Sequence, residues 1–318
     1  MFAIQFALSL AHAEEPPAAV DGEPATETPA EPEAPAEPEP PTLAEQYPVE
    51  YPGQCTPDQA DFDLEILYYE ARYKEGLALA EERLAEAPTA QLYWMKARFL
   101  YEIGEQFERD DPSIDKEAHY QKMLDASDAG LALAPGDLHL RFARGIAMGR
   151  LGTTRGVLRS LFMAKDIEAD WLAVATSKTY AYSSIGGREL LPCDAQHAIG
   201  IYYRLVPDWW IVQVLAGTRG DLHKSVDWHT KAVRCKADEP ANWLELGVTQ
   251  LCLGQHEKDE AMLEAGRASL RKAQALHPEN PRMKIDVRNA GRVLADESMA
   301  CEYSRDGQQD LDESKLKK

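Results

Sequence analysis

Four residues in one short stretch carry side chains suited to metal or acid–base chemistry: Asp221, His223, Asp227 and His229. His223 and Asp227 are four apart, so they share one face of a helix, a spacing that suits two ligands of one ion. A third ligand on that face is missing. Asp221 stands where a helix start needs a capping carboxylate, and His229 falls at a position that packs inside a helix pair. The stretch reads as a capped helix with a packed histidine, and no metal is expected. Ser183-Ser184-Ile185-Gly186-Gly187-Arg188 has the small residues and the cation of an anion loop, but a turn between helices accounts for it more simply. The chain holds no G-x-S-x-G, no H-E-x-x-H and no phosphate-binding glycine loop. Nucleophilic, zinc-hydrolytic and nucleotide chemistry therefore lack their residues, and neither enzymatic activity nor a cofactor is expected.

Aromatic residues form the other concentration of chemical interest. Tyr202, Tyr203, Trp209, Trp210 and Trp228 fall within 27 residues, with Arg204 beside them. Tyr, Trp and Arg dominate interface hot spots, and aromatic rings also line pockets. Adjacent residues on a helix point about 100° apart, so one face cannot bury all five rings. A partner-binding surface and ordinary core packing are both open readings. The partner-binding set is Tyr202, Tyr203, Arg204, Trp209, Trp210 and Trp228. Arg141, Arg144, Arg150, Arg155 and Arg159 pose a similar choice between a stripe for an acidic partner and solvated helix faces.

Helices must position these side chains. Thr56-Pro57-Asp58-Gln59 has the pattern of a capping box with Pro in the first turn, and Leu64, Leu67 and Tyr68 then share a face. Helical patterns follow at 75–87, 89–104, 114–134 and 138–152, with Asp110-Asp111-Pro112 marking a loop. Val157, Leu161 and Ala164 continue the pattern to Ala169. Small residues and exits recur: helix pairs end at Pro88, Pro135, Ala169, Ala237 and Pro278, with 34 residues between the second and third and 68 between the third and fourth. The 68-residue interval admits two registers. In one, Tyr182 and Gly186 lie on a first helix, Ala195 and Ala198 on its partner, and Pro207 opens a further unit through Trp209 and Gly220. In the other, 194–205 pairs directly with 222–235, and 207–220 is an elaborate connection. A last helix at 282–297 would cap the open end.

The formal net charge of −20 argues against nonspecific binding to nucleic acid or anionic membranes. Residues 1–13 (MFAIQFALSLAHA) form an apolar run ending in Ala11-His12-Ala13, the A-x-A form of a signal-peptidase site, so export to the periplasm is expected. No Cys follows to carry a lipid anchor. Residues 14–52 are dominated by Pro, Glu and Ala and read as an extended linker reaching on the order of 100 Å. The folded region is placed at 53–300 and a polar tail at 301–318. No later run approaches a transmembrane span, so no stable membrane insertion is expected. Of the five cysteines, Cys252 lies on a buried helix and reads as a small apolar residue. An odd count leaves at least one thiol unpaired, and the remaining pairings do not follow from the sequence.

Trp243, Leu246, Gly247 and Gly254, followed by Leu270, Ala273 and Pro278, have the spacing of one tetratricopeptide unit, a helix–turn–helix whose apolar face needs neighbours. Residues 57–297 resemble tetratricopeptide proteins. Within that group, Gly200, Tyr202, Tyr203, Leu205, Pro207, Gly220, Asp221, Leu222, Lys224 and Ser225 look like a bacterial subgroup. It is typified by the T component of tripartite periplasmic transporters and is related to regulator-of-microtubule-dynamics proteins. The resemblance implies a non-catalytic accessory protein. The expected fold is all-α, a right-handed superhelical stack of helix hairpins with some elongated helices. The expected function is an envelope scaffold that grips a partner protein or peptide in its groove. The alternative is an accessory of a periplasmic transport system that binds a small apolar ligand. Oligomeric state is not legible.

Overall fold

The computed structural model describes residues 41–107, 113–156 and 160–304. The signal-peptide segment, most of the linker, Asp110-Asp111-Pro112, Val157, Arg159 and residues 305–318 lie outside the described residues.

Short polar side chains set the helix starts. Thr42, Thr89, Asp115, Asp137, Asp221, Asp259 and Asn280 each accept a hydrogen bond from a backbone N–H in the first turn of the helix they precede. Those helices are α1 (Leu43–Gln46), α4 (Ala90–Gly104), α5 (Lys116–Leu133), α6 (Leu138–Arg155), α10 (Leu222–Cys235), α12 (Glu260–Ala275) and α13 (Pro281–Ala295). The others are α2 (Phe62–Tyr69), α3 (Tyr73–Glu86), α7 (Leu161–Ala175), α8 (Cys193–Leu205), α9 (Trp210–Ala216) and α11 (Pro240–Glu257). Two antiparallel strands, β1 (Tyr182–Ser183) and β2 (Leu190–Leu191), form the only sheet among the described residues. The fold is all-α in class.

From α3 to α8 each helix packs on the next; α8 then packs on α10, and the succession resumes through α11, α12 and α13. At the α11–α12 crossing, a Cβ on Gly247 would lie 2.9 Å from the Gly266 carbonyl oxygen, and a Cβ on Gly266 would lie 2.9 Å from that of Gly247. The backbones approach so closely that each glycine leaves room for the other. One apolar cluster runs from Leu64 to Ala216 and a second from Leu244 to Tyr303. Arg204 joins α8 to the second, donating to the Glu245 carboxylate at 2.5 Å and to the Tyr303 carbonyl at 2.7 Å.

Several expectations shift. Gln59 does reach back to the Thr56 N–H at 3.3 Å, but the contact closes a turn, and α2 starts only at Phe62. The helix expected to end at Ala169 runs on as α7, because Trp171, Val174 and Ala175 extend its buried face and no Gly or Pro interrupts it. Tyr182 and Gly186 are not helical: Tyr182 pairs with Leu191, and Gly186 and Gly187 take positive φ in a single 3-10 turn. The direct pairing of 194–205 with 222–235 is the one observed. Residues 42–52, read as the end of the linker, are ordered, with Tyr47 edge-on to Phe62 and Tyr69. At the other end, Tyr303 is buried rather than part of a free tail.

The cysteines also differ from expectation. Cys252 is bonded to Cys301, Cys193 to Cys235, and Cys55 is the free thiol. No helix among the described residues is long and apolar enough to cross a membrane.

Candidate functional site

The six aromatic and basic candidates lie on α8, on α10 and on the connection that carries α9 between them, and they do not share one surface. Tyr202 and Tyr203 are buried on α8. The Tyr202 hydroxyl donates to the Ala164 carbonyl at 2.9 Å, and that of Tyr203 donates to Glu168 at 2.5 Å, so both bind α8 to α7. Burial pushes both phenols above their ordinary range. Arg204 is turned inward to Glu245. Trp209 and Trp228 are half-buried against the first apolar cluster, and the Lys231 ammonium lies 3.7 Å from the centroid of the Trp228 ring.

Trp210 is different: it is 72 % exposed. It opens α9, which sits inside the long connection between α8 and α10. Trp209 precedes it in extended backbone, so the two indoles diverge. Val212 and Ala216 bury one side of α9, and the helix packs on α7. Trp210, Ile211 and Val214 stay exposed on the remaining surface, Val214 at 69 %. Gly217 ends the helix in the left-handed region. The Gly220 N–H donates to the Pro207 carbonyl at 3.3 Å and the Asp221 N–H to the Tyr203 carbonyl at 2.8 Å, which closes the excursion at its base. A Cβ at Gly220 would fall 1.9 Å from the Val206 carbonyl oxygen, so only glycine permits that closure. The Cys193–Cys235 disulfide ties the first residue of α8 to the last of α10.

The histidine–aspartate stretch is dispersed. Asp221 caps α10, accepting from the Lys224 N–H at 3.0 Å. His223 is exposed and lies 2.8 Å from Glu257 on α11. Asp227 is exposed, and His229 is fully buried on another face. Among the described residues, Cys252, His256 and Cys301 place ligand-type atoms within 4.8 Å of one another, but the two cysteines are joined to each other. In 183–188, the Ser184 N–H donates to the Glu189 carbonyl and the Gly187 N–H to that of Ser184, so these amides serve the hairpin. Of the arginine row, Arg141 and Arg144 both bind the buried Asp170 at 2.7–2.9 Å, Arg150 pairs with Glu105, and Arg155 with Glu117.

One constellation was missed by the sequence reading. Arg98, 4 % exposed on α4, donates to Glu65 Oε1 at 2.8 Å and lies 2.6 Å from Glu189. Its guanidinium sits 3.4 Å from the Tyr68 ring centroid. The Tyr182 hydroxyl also donates to Glu65 Oε1, at 2.7 Å. His139 packs on Trp94 with centroids 4.2 Å apart and bonds the Tyr180 hydroxyl at 2.7 Å. Burial drives Glu189 up to about 7. Burial, with Arg98 nearby, drives His139 down to about 3. The signal was present: Arg98 stands one turn after Trp94, on the apolar stripe of α4, and a charge there needs buried partners. No protein-family model matches the chain, and no curated protein matches it.

Proposed function

We propose that this protein is a non-catalytic scaffold that holds a partner protein or peptide, with α9 as its grip. The helices are read as tetratricopeptide-like hairpins stacked into a right-handed superhelix, and export to the periplasm fits the apolar first thirteen residues. The supporting observation is a single one: α9 offers Trp210, Ile211 and Val214 to solvent while Val212 and Ala216 fasten it to α7. Large exposed apolar residues on a fixed helix suit an apolar partner face, since Trp is the residue most often found at interface hot spots. The buried Tyr202 and Tyr203 fasten α8 to α7, the helix on which α9 packs, Arg204 fastens α8 to α11, and all three are assigned a structural part.

The test replaces Trp210 and Val214 with Ser and compares capture from cell envelopes by wild-type and variant protein. A partner retained by the wild type and lost by the variant, with thermal unfolding unchanged, supports the reading. Equal capture by both proteins excludes α9 as the contact. Sedimentation at rising concentration identifies the case in which the partner is a second copy of the chain.

A further inference from the structure

Two sulfurs and an imidazole nitrogen, from Cys252, Cys301 and His256, lie within 4.8 Å of one another. Cys252 and His256 are four apart on α11 and so share a face of that helix. Cys301 meets them from the C-terminal segment, two residues after the 3-10 turn at Glu297–Met299. Two thiolates and an imidazole are a ligand set suited to zinc. The sulfurs are bonded to each other, so the set is closed while the disulfide lasts. The exposed His256 ring makes no hydrogen bond, ion pair or ring contact among the described residues.

Other contacts keep the three residues together once that bond is open. Gln255 Nε2 on α11 donates to the Glu297 carbonyl at 2.6 Å, and Arg267 on α12 holds the Glu297 carboxylate at 2.8 and 3.0 Å. Beyond Cys301, the Tyr303 carbonyl accepts from Arg204 at 2.7 Å, and its hydroxyl accepts from Asn289 at 3.3 Å. Ala300 and Tyr303 are buried in the second apolar cluster. Cys301 is thus anchored on both sides by groups other than its sulfur. A tetrahedral zinc with Zn–S bonds of about 2.3 Å sets its two sulfurs about 3.8 Å apart. Separated sulfurs reach that span by side-chain rotation, and the exposed imidazole can swing in from its present distance. Gln255 Oε1, 3.7 Å from Cys301 Sγ, stands near the fourth position. Among the described residues, the Cys193–Cys235 pair belongs to no such group.

We infer that the Cys252–Cys301 disulfide masks a zinc site that a dithiol reductant opens. The dithiol passes two electrons and two protons to the bond and closes into its own disulfide, leaving two thiols on the protein. Zn²⁺ then binds Cys252 Sγ, Cys301 Sγ and one ring nitrogen of His256, and the two thiol protons leave to solvent. The site is remote from α9, and the inference stands or falls independently of partner binding.

The full chain, reduced with dithiothreitol without denaturant and desalted under argon, is titrated with Co²⁺ and then Zn²⁺. Thiolate-to-cobalt charge-transfer absorption should saturate at one equivalent and be displaced by zinc, with a zinc Kd below about 1 μM. The oxidised chain should show none. The double variant Cys193→Ser, Cys235→Ser should keep the site, and Cys252→Ser, Cys301→Ser should abolish it. His256→Ala, a change at an exposed position, should weaken Co²⁺ binding at least about tenfold. An unfolded chain with loose thiols would be indifferent to that change, so the variant separates a built site from scavenging. Cobalt bound equally by wild type and His256→Ala overturns the inference. So does the charge-transfer band in the oxidised chain, and so does a disulfide that opens only in urea or a reduced chain whose helical circular dichroism is lost.

Discussion

The imidazole of His229 on α10 occupies the space over Gly200 on α8: a Cβ added to Gly200 would lie 2.7 Å from His229 Cε1. Neither ring nitrogen of His229 has a hydrogen-bond partner. Burial first, then the positive potential of His197 and Arg204, holds this histidine well below its usual titration range. Such a group is neutral when folded and takes up a proton more readily when unfolded. Its contribution to stability is complete above the unfolded pKa near 6.5 and is lost as pH falls below it. His139 acts with the same sign between pH 6.5 and about 3. The urea midpoint of the wild type should therefore fall from pH 7 to pH 5 by more than that of His229→Leu. Identical pH slopes for the two proteins would clear His229 of this role.

Glu189 works in the opposite direction. Its folded pKa is raised to about 7 by burial, with the Arg98 cation opposing the shift. The protonated folded form is favoured, so its contribution is complete below the unfolded value near 4.5 and is lost as pH rises through about 7. Relative to Glu189→Gln, the wild type should lose stability between pH 4.5 and 7.5. Urea unfolding at several pH values reads that difference, and a flat difference contradicts it.

Arg204 and Glu245 form a buried ion pair, with side chains 1 % and 6 % exposed. Truncating one partner leaves an unmatched buried charge, so Arg204→Ala should cost about 3–5 kcal/mol in urea unfolding. The double variant Arg204→Met, Glu245→Leu should recover most of that loss, because no charge is then stranded. A double variant no more stable than Arg204→Ala would show that the pair's geometry, rather than its charge balance, is what matters.

The thiols should sort cleanly. Burial pushes the Cys55 thiol up to about 12, so little thiolate exists at pH 8. Native protein treated with iodoacetamide at pH 8 should label slowly at Cys55 alone, and reduced, unfolded protein should label at all five cysteines. Each disulfide closes a loop of more than 40 residues, spanning separations of 42 and 49. Loss of either should lower stability by about 2–4 kcal/mol, read from unfolding of the paired Cys→Ser variants. Rapid labelling of any second cysteine in the native protein contradicts this assignment.

The start of α10 was legible because its cap is local, whereas the capping pattern at Thr56 closes only a turn ahead of α2. Asp221 announces α10, whose observed span of 222–235 matches the alternation of apolar and polar residues along it. The hairpin at 182–191 was not, because Tyr182 and Gly186 fit a helical register and only the positive φ of Gly186 and Gly187 breaks it. The end of α7 was misplaced by counting in repeats, when its buried face continues through Trp171 and Val174. At the candidate site, the exposure of Trp210 follows from the divergence of adjacent indoles. The inward turn of Tyr202 and Tyr203 depends on Ala164 and Glu168, more than thirty residues away in sequence. The burial of Glu65 depends on Arg98 and Tyr182 together, a coincidence no local pattern encodes.

The Cys193–Cys235 link has a mechanical meaning. Tension applied along the chain from either end passes through two sulfur atoms and bypasses everything strung between them, including α9. Stretching the chain by its two ends therefore leaves the loop that carries α9 unloaded.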